Sequence, residues 1–163
     1  MPPAGATVTV DFNPVADRLR VIGSDGSNLR ANVDDGKVVT DGALKFADAD
    51  ANKGKTPKVV AGAYTNPVKG AAQTTLYDID ATAGVLVKQA PPNDGVLGTV
   101  GSLGMSVGVI AFDIAPDGKG GDAGWLLADG TLYSLDLASG KTSKVGAVAG
   151  VAKAWDIAVI PAK

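Results

Sequence analysis

A strand-like phrase that ends in proline recurs four times, and it constrains the fold more than any other feature of this chain. It reads Thr9-Val10-Asp11-Phe12-Asn13-Pro14, then Gly62-Ala63-Tyr64-Thr65-Asn66-Pro67, then Ala111-Phe112-Asp113-Ile114-Ala115-Pro116, and finally Asp156-Ile157-Ala158-Val159-Ile160-Pro161. The prolines stand 53, 49 and 45 residues apart. Proline has no N–H to donate, so each one ends a ladder. A second phrase appears as Leu76-Tyr77-Asp78-Ile79-Asp80-Ala81-Thr82-Ala83-Gly84 and Leu132-Tyr133-Ser134-Leu135-Asp136-Leu137-Ala138-Ser139-Gly140, with a weaker copy from Leu29 to Gly36. Thr99-Val100-Gly101 and Lys144-Val145-Gly146 close two of the units. A period of this length, holding several strands, belongs to propeller blades or a similar β-array.

Local patterning agrees. Residues alternate apolar and polar with period two, as in Leu132-Tyr133-Ser134-Leu135-Asp136-Leu137. Six Asp-Gly pairs, starting at Asp25, Asp35, Asp41, Asp94, Asp117 and Asp129, offer the positive φ that tight hairpin turns need. Strands are expected near 7–13, 18–23, 28–33, 37–40, 58–65, 74–80, 85–89, 108–114, 124–128, 131–137, 142–148 and 154–160. Loops are expected at 47–57, 66–73, 89–98 and 116–123, with one helical turn at 47–51. The chain thus reads as a single all-β, propeller-like domain over 1–163 with antiparallel four-stranded units. They cover about 7–57, 58–107 and 108–153, with a closing strand at 154–161. Closed propellers carry four to eight blades, so three units and a strand predict exposed edges, and exposed edges pair with something.

What the chain lacks narrows its chemistry. With 163 residues and 45% hydrophobics it can build one core. It has no Cys and no His, so disulfides, thiolate nucleophiles, imidazole bases and Cys or His zinc sites are excluded. Net charge is −2 with no basic stretch, which argues against nucleic acid as a partner. No apolar run has the length of a membrane span. All 17 acids are Asp, and the eight aromatics lie mostly in strand patterns, which weakens a glycosidase reading. No signal peptide is visible after Met1-Pro2-Pro3. The Gly- and Ala-rich, low-charge composition fits an exported bacterial protein.

Several phrases carry a resemblance. They are Phe12-Asn13-Pro14 with Asp17-Arg18-Leu19-Arg20-Val21, Asn28-Leu29-Arg30 with Asn32, Asp41-Gly42-Ala43-Leu44, Ala63-Tyr64-Thr65-Asn66, Thr74-Thr75-Leu76-Tyr77-Asp78-Ile79-Asp80, and Pro91-Pro92-Asn93-Asp94-Gly95 with Thr99-Val100-Gly101. Together they resemble a bacterial family of exported, propeller-like proteins known as a domain of unknown function. The resemblance spans roughly residues 9–160. It implies a propeller-like fold, export, and a family domain longer at its N-terminus by a blade or two. It supplies no catalytic residues.

Three clusters are candidate sites. Asp48, Asp50 and Asn52, with Thr56 nearby, space oxygens as in the start of a calcium loop. However, Lys53 stands where an EF-hand needs glycine and Val59 where it needs a bidentate Glu, so the competing reading is a polar turn. The stretch 113–122 offers Asp113, Asp117 and Asp122 as a second cation loop or a hairpin tip. Arg18, Arg20 and Arg30 gather in one unit. They would either grip a carboxylate or phosphate ligand, or form an Arg–Asp network with Asp11, Asp17 or Asp34. The expected function is a non-enzymatic, exported scaffold or binding module that self-associates through strand edges, with no cofactor. The alternative is a calcium-dependent, lactonase-like propeller hydrolase held together by Asp and Asn ligands.

Overall fold

The structure, a computed structural model, describes residues 1–151 and 153–160. Pro161, the last of the four anchoring prolines, and Ala152 in the third unit lie outside the described residues. Among the described residues the chain is all-β, and thirteen strands form three sheets. The first holds β1 (Val8–Asn13), β2 (Arg18–Gly23), β3 (Asn28–Ala31) and β4 (Val38–Thr40) in that order, all antiparallel. The third repeats this plan with β10 (Ile110–Pro116), β11 (Asp122–Ala128), β12 (Thr131–Leu135) and β13 (Thr142–Ala147).

The second sheet departs from the expected plan. It has five strands in the order β5-β9-β8-β7-β6, formed from β5 (Lys45–Phe46), β6 (Val59–Tyr64), β7 (Leu76–Asp80), β8 (Val85–Gln89) and β9 (Val96–Ser102). Strand β5 comes from the stretch assigned by sequence to the first unit, yet it pairs in parallel with β9. The expected loop at 89–98 holds a single 3-10 turn (Pro92–Asp94) and the start of β9. The segment 47–51 forms hydrogen-bonded turns without a helix. Residues 154–160 form no ladder. They are tied to β10 by one bond, from the Val159 N–H to Asp113.

Strands β1, β6 and β10 lie side by side, so each sheet presents its first full strand to the next. The second sheet is packed on both faces, by the first sheet on one and the third on the other. Ala61, Ala63, Ile79 and Leu86 face Ile110, Phe112, Ile114 and Leu126 of the third sheet. Tyr64, Leu76, Val85 and Val87 face Ile22, Leu44 and Phe46. Each such large side chain stabilises the fold by about 1.5–3 kcal/mol on full burial. Close backbone approaches complete the seating of sheet on sheet. A Cβ at Gly101 of β9 would collide with the Ser139 carbonyl from the third sheet. On the outer face of the first sheet, Val8, Val10 and Phe12 of β1 are 47%, 48% and 43% exposed, while Leu29 of β3, on the same face, is buried. No helix among the described residues is long and apolar enough to cross a membrane.

Candidate functional site

The three candidate clusters go to different places. Asp48 is exposed and pairs with Lys53 at 3.0 Å. Asp50 turns inward instead, where its carboxylate accepts the N–H and the hydroxyl of Thr99 and the Asn52 N–H. Burial would raise the Asp50 carboxyl, but these donors outweigh it and hold it below the usual range. Asn52 donates to Thr99 and accepts from Lys55, while Thr56 is exposed. The four expected calcium ligands therefore do not converge: two of them strap their turn to β9. The stretch 113–122 also splits. Asp117 closes its own hairpin by accepting the Lys119 and Gly121 N–H groups, Asp113 reaches residue 159, and Asp122 accepts the Asn66 N–H.

The arginines do converge, in a buried junction between the first and second sheets. Arg20 and Arg30 are directly opposite on β2 and β3. Both bond Asp41, Arg20 at 2.6 Å and Arg30 in a fork at 2.7 and 2.9 Å. Arg20 and Asp41 are 3% and 5% exposed. The other Arg20 donors reach Tyr64 Oη, Asn28 Oδ1 and Asn93 Oδ1. Asn28 in turn donates to the Gly42 and Pro92 carbonyls. The carboxylate that anchors the cluster is thus Asp41, from an Asp-Gly turn, and not Asp11, Asp17 or Asp34. Burial would raise the Asp41 carboxyl, but bonds from Arg30 and Arg20 outweigh that and hold it low. Arg18 stands apart. It bonds the Asp17 carbonyl and shares a shallow cleft of about 250 Å³ with Arg30, Lys37 and Asp35.

Behind this network lies a group that sequence reasoning did not single out. Asp78 of β7 is fully buried, and neither carboxylate oxygen has a partner among the described residues. It presses on the Cα of Gly62, where any side chain would collide with it. Burial pushes its pKa up to about 8, and the Arg20 charge only partly offsets this. The signal was present in Leu76-Tyr77-Asp78-Ile79-Asp80, whose alternation places two aspartates on a face with Leu76.

A second set of aspartates lies in β1, in β10 and in the segment 154–160. Asp11, Asp113 and Asp156 each accept the N–H of the following residue, Phe12, Ile114 or Ile157. The remaining oxygen of Asp11 takes the Tyr64 N–H of the next sheet at 2.6 Å, and that of Asp113 takes the Val159 N–H at 2.6 Å. All three border a cavity of about 160 Å³ with Gly62, Phe112 and Ile157. Burial is the main reason the Asp11 pKa rises to about 6, and the charges of Asp113 and Asp156 add to it against two backbone hydrogen bonds. The recurring Asp-Phe and Asp-Ile steps of the anchor phrases are the sequence trace of this device.

An all-β chain of three sheets stitched to one another by carboxylates is the class these features define. The chain matches the family model described as Domain of unknown function (DUF4394) over residues 1–158, and it belongs to that family. Comparison with the curated proteins gave no match.

Proposed function

We propose that this chain is a non-enzymatic, exported, propeller-like module that acts as a scaffold or binding unit and self-associates. The three sheets are its consecutive blades. The observation that carries this reading is the exposed apolar row Val8, Val10 and Phe12 on the outer face of the first sheet, where the second and third sheets bury theirs on a neighbour. Contiguous exposed apolar surface of this kind is the mark of an interaction face. The reading moves the contact from strand edges, as expected from the repeat count, to a strand face. The export assignment rests on composition. The test is absolute mass in solution by light scattering. A discrete multiple of 16.2 kDa is expected, and a monomer at every concentration would overturn the proposal.

The alternative, a calcium-dependent hydrolase, has in its favour the three carboxylates around the inner cavity. It makes a separate prediction, because a cation bound only by the native state must raise the melting temperature. We expect the melting temperature to be unchanged by millimolar calcium or by chelator. A clear rise with calcium would favour the hydrolase.

A further inference from the structure

The basic side chains of the first sheet outnumber the carboxylates that reach them. Arg20 and Arg30 share one carboxylate, Asp41. Arg18 makes no ion pair among the described residues. Lys37 pairs with Asp35 at 2.9 Å on an open surface. With Asp41 matched to the buried Arg20, the charges of Arg18 and Arg30 are left without a counterion.

Strand register gathers this surplus in one place. Arg18 precedes Arg20 by two positions on β2, so both lie on the face that Arg30 occupies opposite Arg20 on β3. Asn32 follows Arg30 on that face, and its N–H bonds the Lys37 carbonyl at 2.8 Å. Arg18, Arg30, Asn32 and Lys37 therefore line one cleft of about 250 Å³, with Val39 beside them and Asp35 as its acid. Bonds from Lys37, and behind them the Arg18 charge, hold the Asp35 carboxyl below its usual range. Like charges brought together on one sheet face oppose folding, and an anion among them relieves that cost.

The donors of the cleft are held in place but not used up. The fork on Asp41 takes Arg30 Nε and Nη2 and leaves Nη1 without a partner among the described residues. Asp17 adopts a φ of 51°, and its carbonyl accepts from Arg18 Nη1 at 2.6 Å, which leaves Nε and Nη2. Asn32 Oδ1 accepts the Asp34 N–H, so its amide N–H groups remain for a ligand. Donors fixed in advance lose little freedom on binding. A guanidinium edge also matches two oxygens of one phosphate.

The geometry points to a binding site for a phosphate monoester in this cleft, with Arg18 and Arg30 gripping the phosphoryl oxygens and Lys37 and Asn32 completing the shell. A doubly charged phosphoryl group matches the uncompensated charge, where a carboxylate would meet half of it. Arg20, grouped with Arg18 and Arg30 by sequence, is spent on the junction and takes no part. The site does not depend on self-association.

Calorimetric titration with methyl phosphate at about pH 7.5, where a monoester is a dianion, tests the site. Saturable binding is expected, with none for acetate at the same ionic strength. Arg18→Ala should weaken binding about tenfold, the effect of losing one charge-assisted hydrogen bond, with a melting temperature near that of wild type. Asp35→Asn keeps an acceptor for the Lys37 N–H, removes the acid from the cleft and should tighten binding severalfold. Absence of binding, or binding that Arg18→Ala leaves unchanged, would overturn the proposal. Sulfate or acetate bound as tightly as methyl phosphate would overturn it too, because the cleft would then be a general anion surface.

Discussion

Arg20→Met should destabilise the chain by about 3–5 kcal/mol, the range for removing one partner of a buried ion pair. The loss would reach beyond the pair with Asp41. Tyr64 Oη, Asn28 Oδ1 and Asn93 Oδ1 would each lose a donor inside the junction. Arg20→Lys would not rescue it, because an ammonium cannot span four acceptors that a planar fork reaches at 2.6–3.2 Å. Arg18→Ala, at a half-buried position outside the network and bonded to the neighbouring Asp17 carbonyl, should change stability by less than about 0.5 kcal/mol. Urea unfolding of the three variants measures this. Equal, small effects for Arg20 and Arg18 would mean that the buried network does not hold the first two sheets together.

Stability should fall as pH rises from about 5 to 8. Asp78 and Asp11 have native-state pKa values raised to about 8 and about 6, against an unfolded value of 3.8. Between the two values the native state keeps a proton that the unfolded state releases. Each such group therefore stabilises most at low pH and loses that contribution as pH climbs to its native pKa. Asp41 and Asp50 have lowered values and act the other way, but only in acid. Above pH 6 Asp78 dominates, and two pH units there correspond to about 2–3 kcal/mol. Asp78→Asn keeps the shape and removes the charge. It should flatten the profile between pH 6 and 8 and leave the variant more stable than wild type at pH 8.5. Thermal melts across pH 5–9 read this directly. A flat wild-type profile would mean that Asp78 is ionised and partnered in solution.

The sequence was most legible where local chemistry decides the structure. Three of the four proline-ended phrases mark the first full strand of a sheet, the fourth forming no ladder over 156–160, and five of the six Asp-Gly glycines, Gly26, Gly36, Gly95, Gly118 and Gly130, take the positive φ that their turns require. Gly42 is the exception: it serves close approach, since a Cβ there would meet the Asp94 carbonyl at 2.6 Å. Strand β9 was missed because Gly98 and Gly101 dilute its β-propensity, and pairing with β8 overrides that weakness. Strand β5 spans two residues and pairs with a strand about fifty positions away, which no local period reports. The arginine cluster was legible as a cluster, with Arg20 and Arg30 on adjacent strands. Its acid was not, because Asp41 reaches it from a turn whose Asp-Gly signature has its own local explanation.

The short strand β5 has a consequence for how the molecule comes apart. A linear array of repeats can open one unit at a time, because each unit contacts only its neighbours. Here the chain leaves the first sheet, lends Lys45 and Phe46 to the far edge of the second, and buries Phe46 in the second sheet's core. The first sheet is thereby laced to both margins of its neighbour: β1 lies beside β6 at one, and β5 pairs with β9 at the other. The third sheet meets the second through an apolar layer and a few hydrogen bonds, such as Asn66 N–H to Asp122, and among the described residues no strand is exchanged across it. The first two sheets, laced by an exchanged strand, are expected to lose their order together and the third to open separately, which amide exchange resolved by sheet would show.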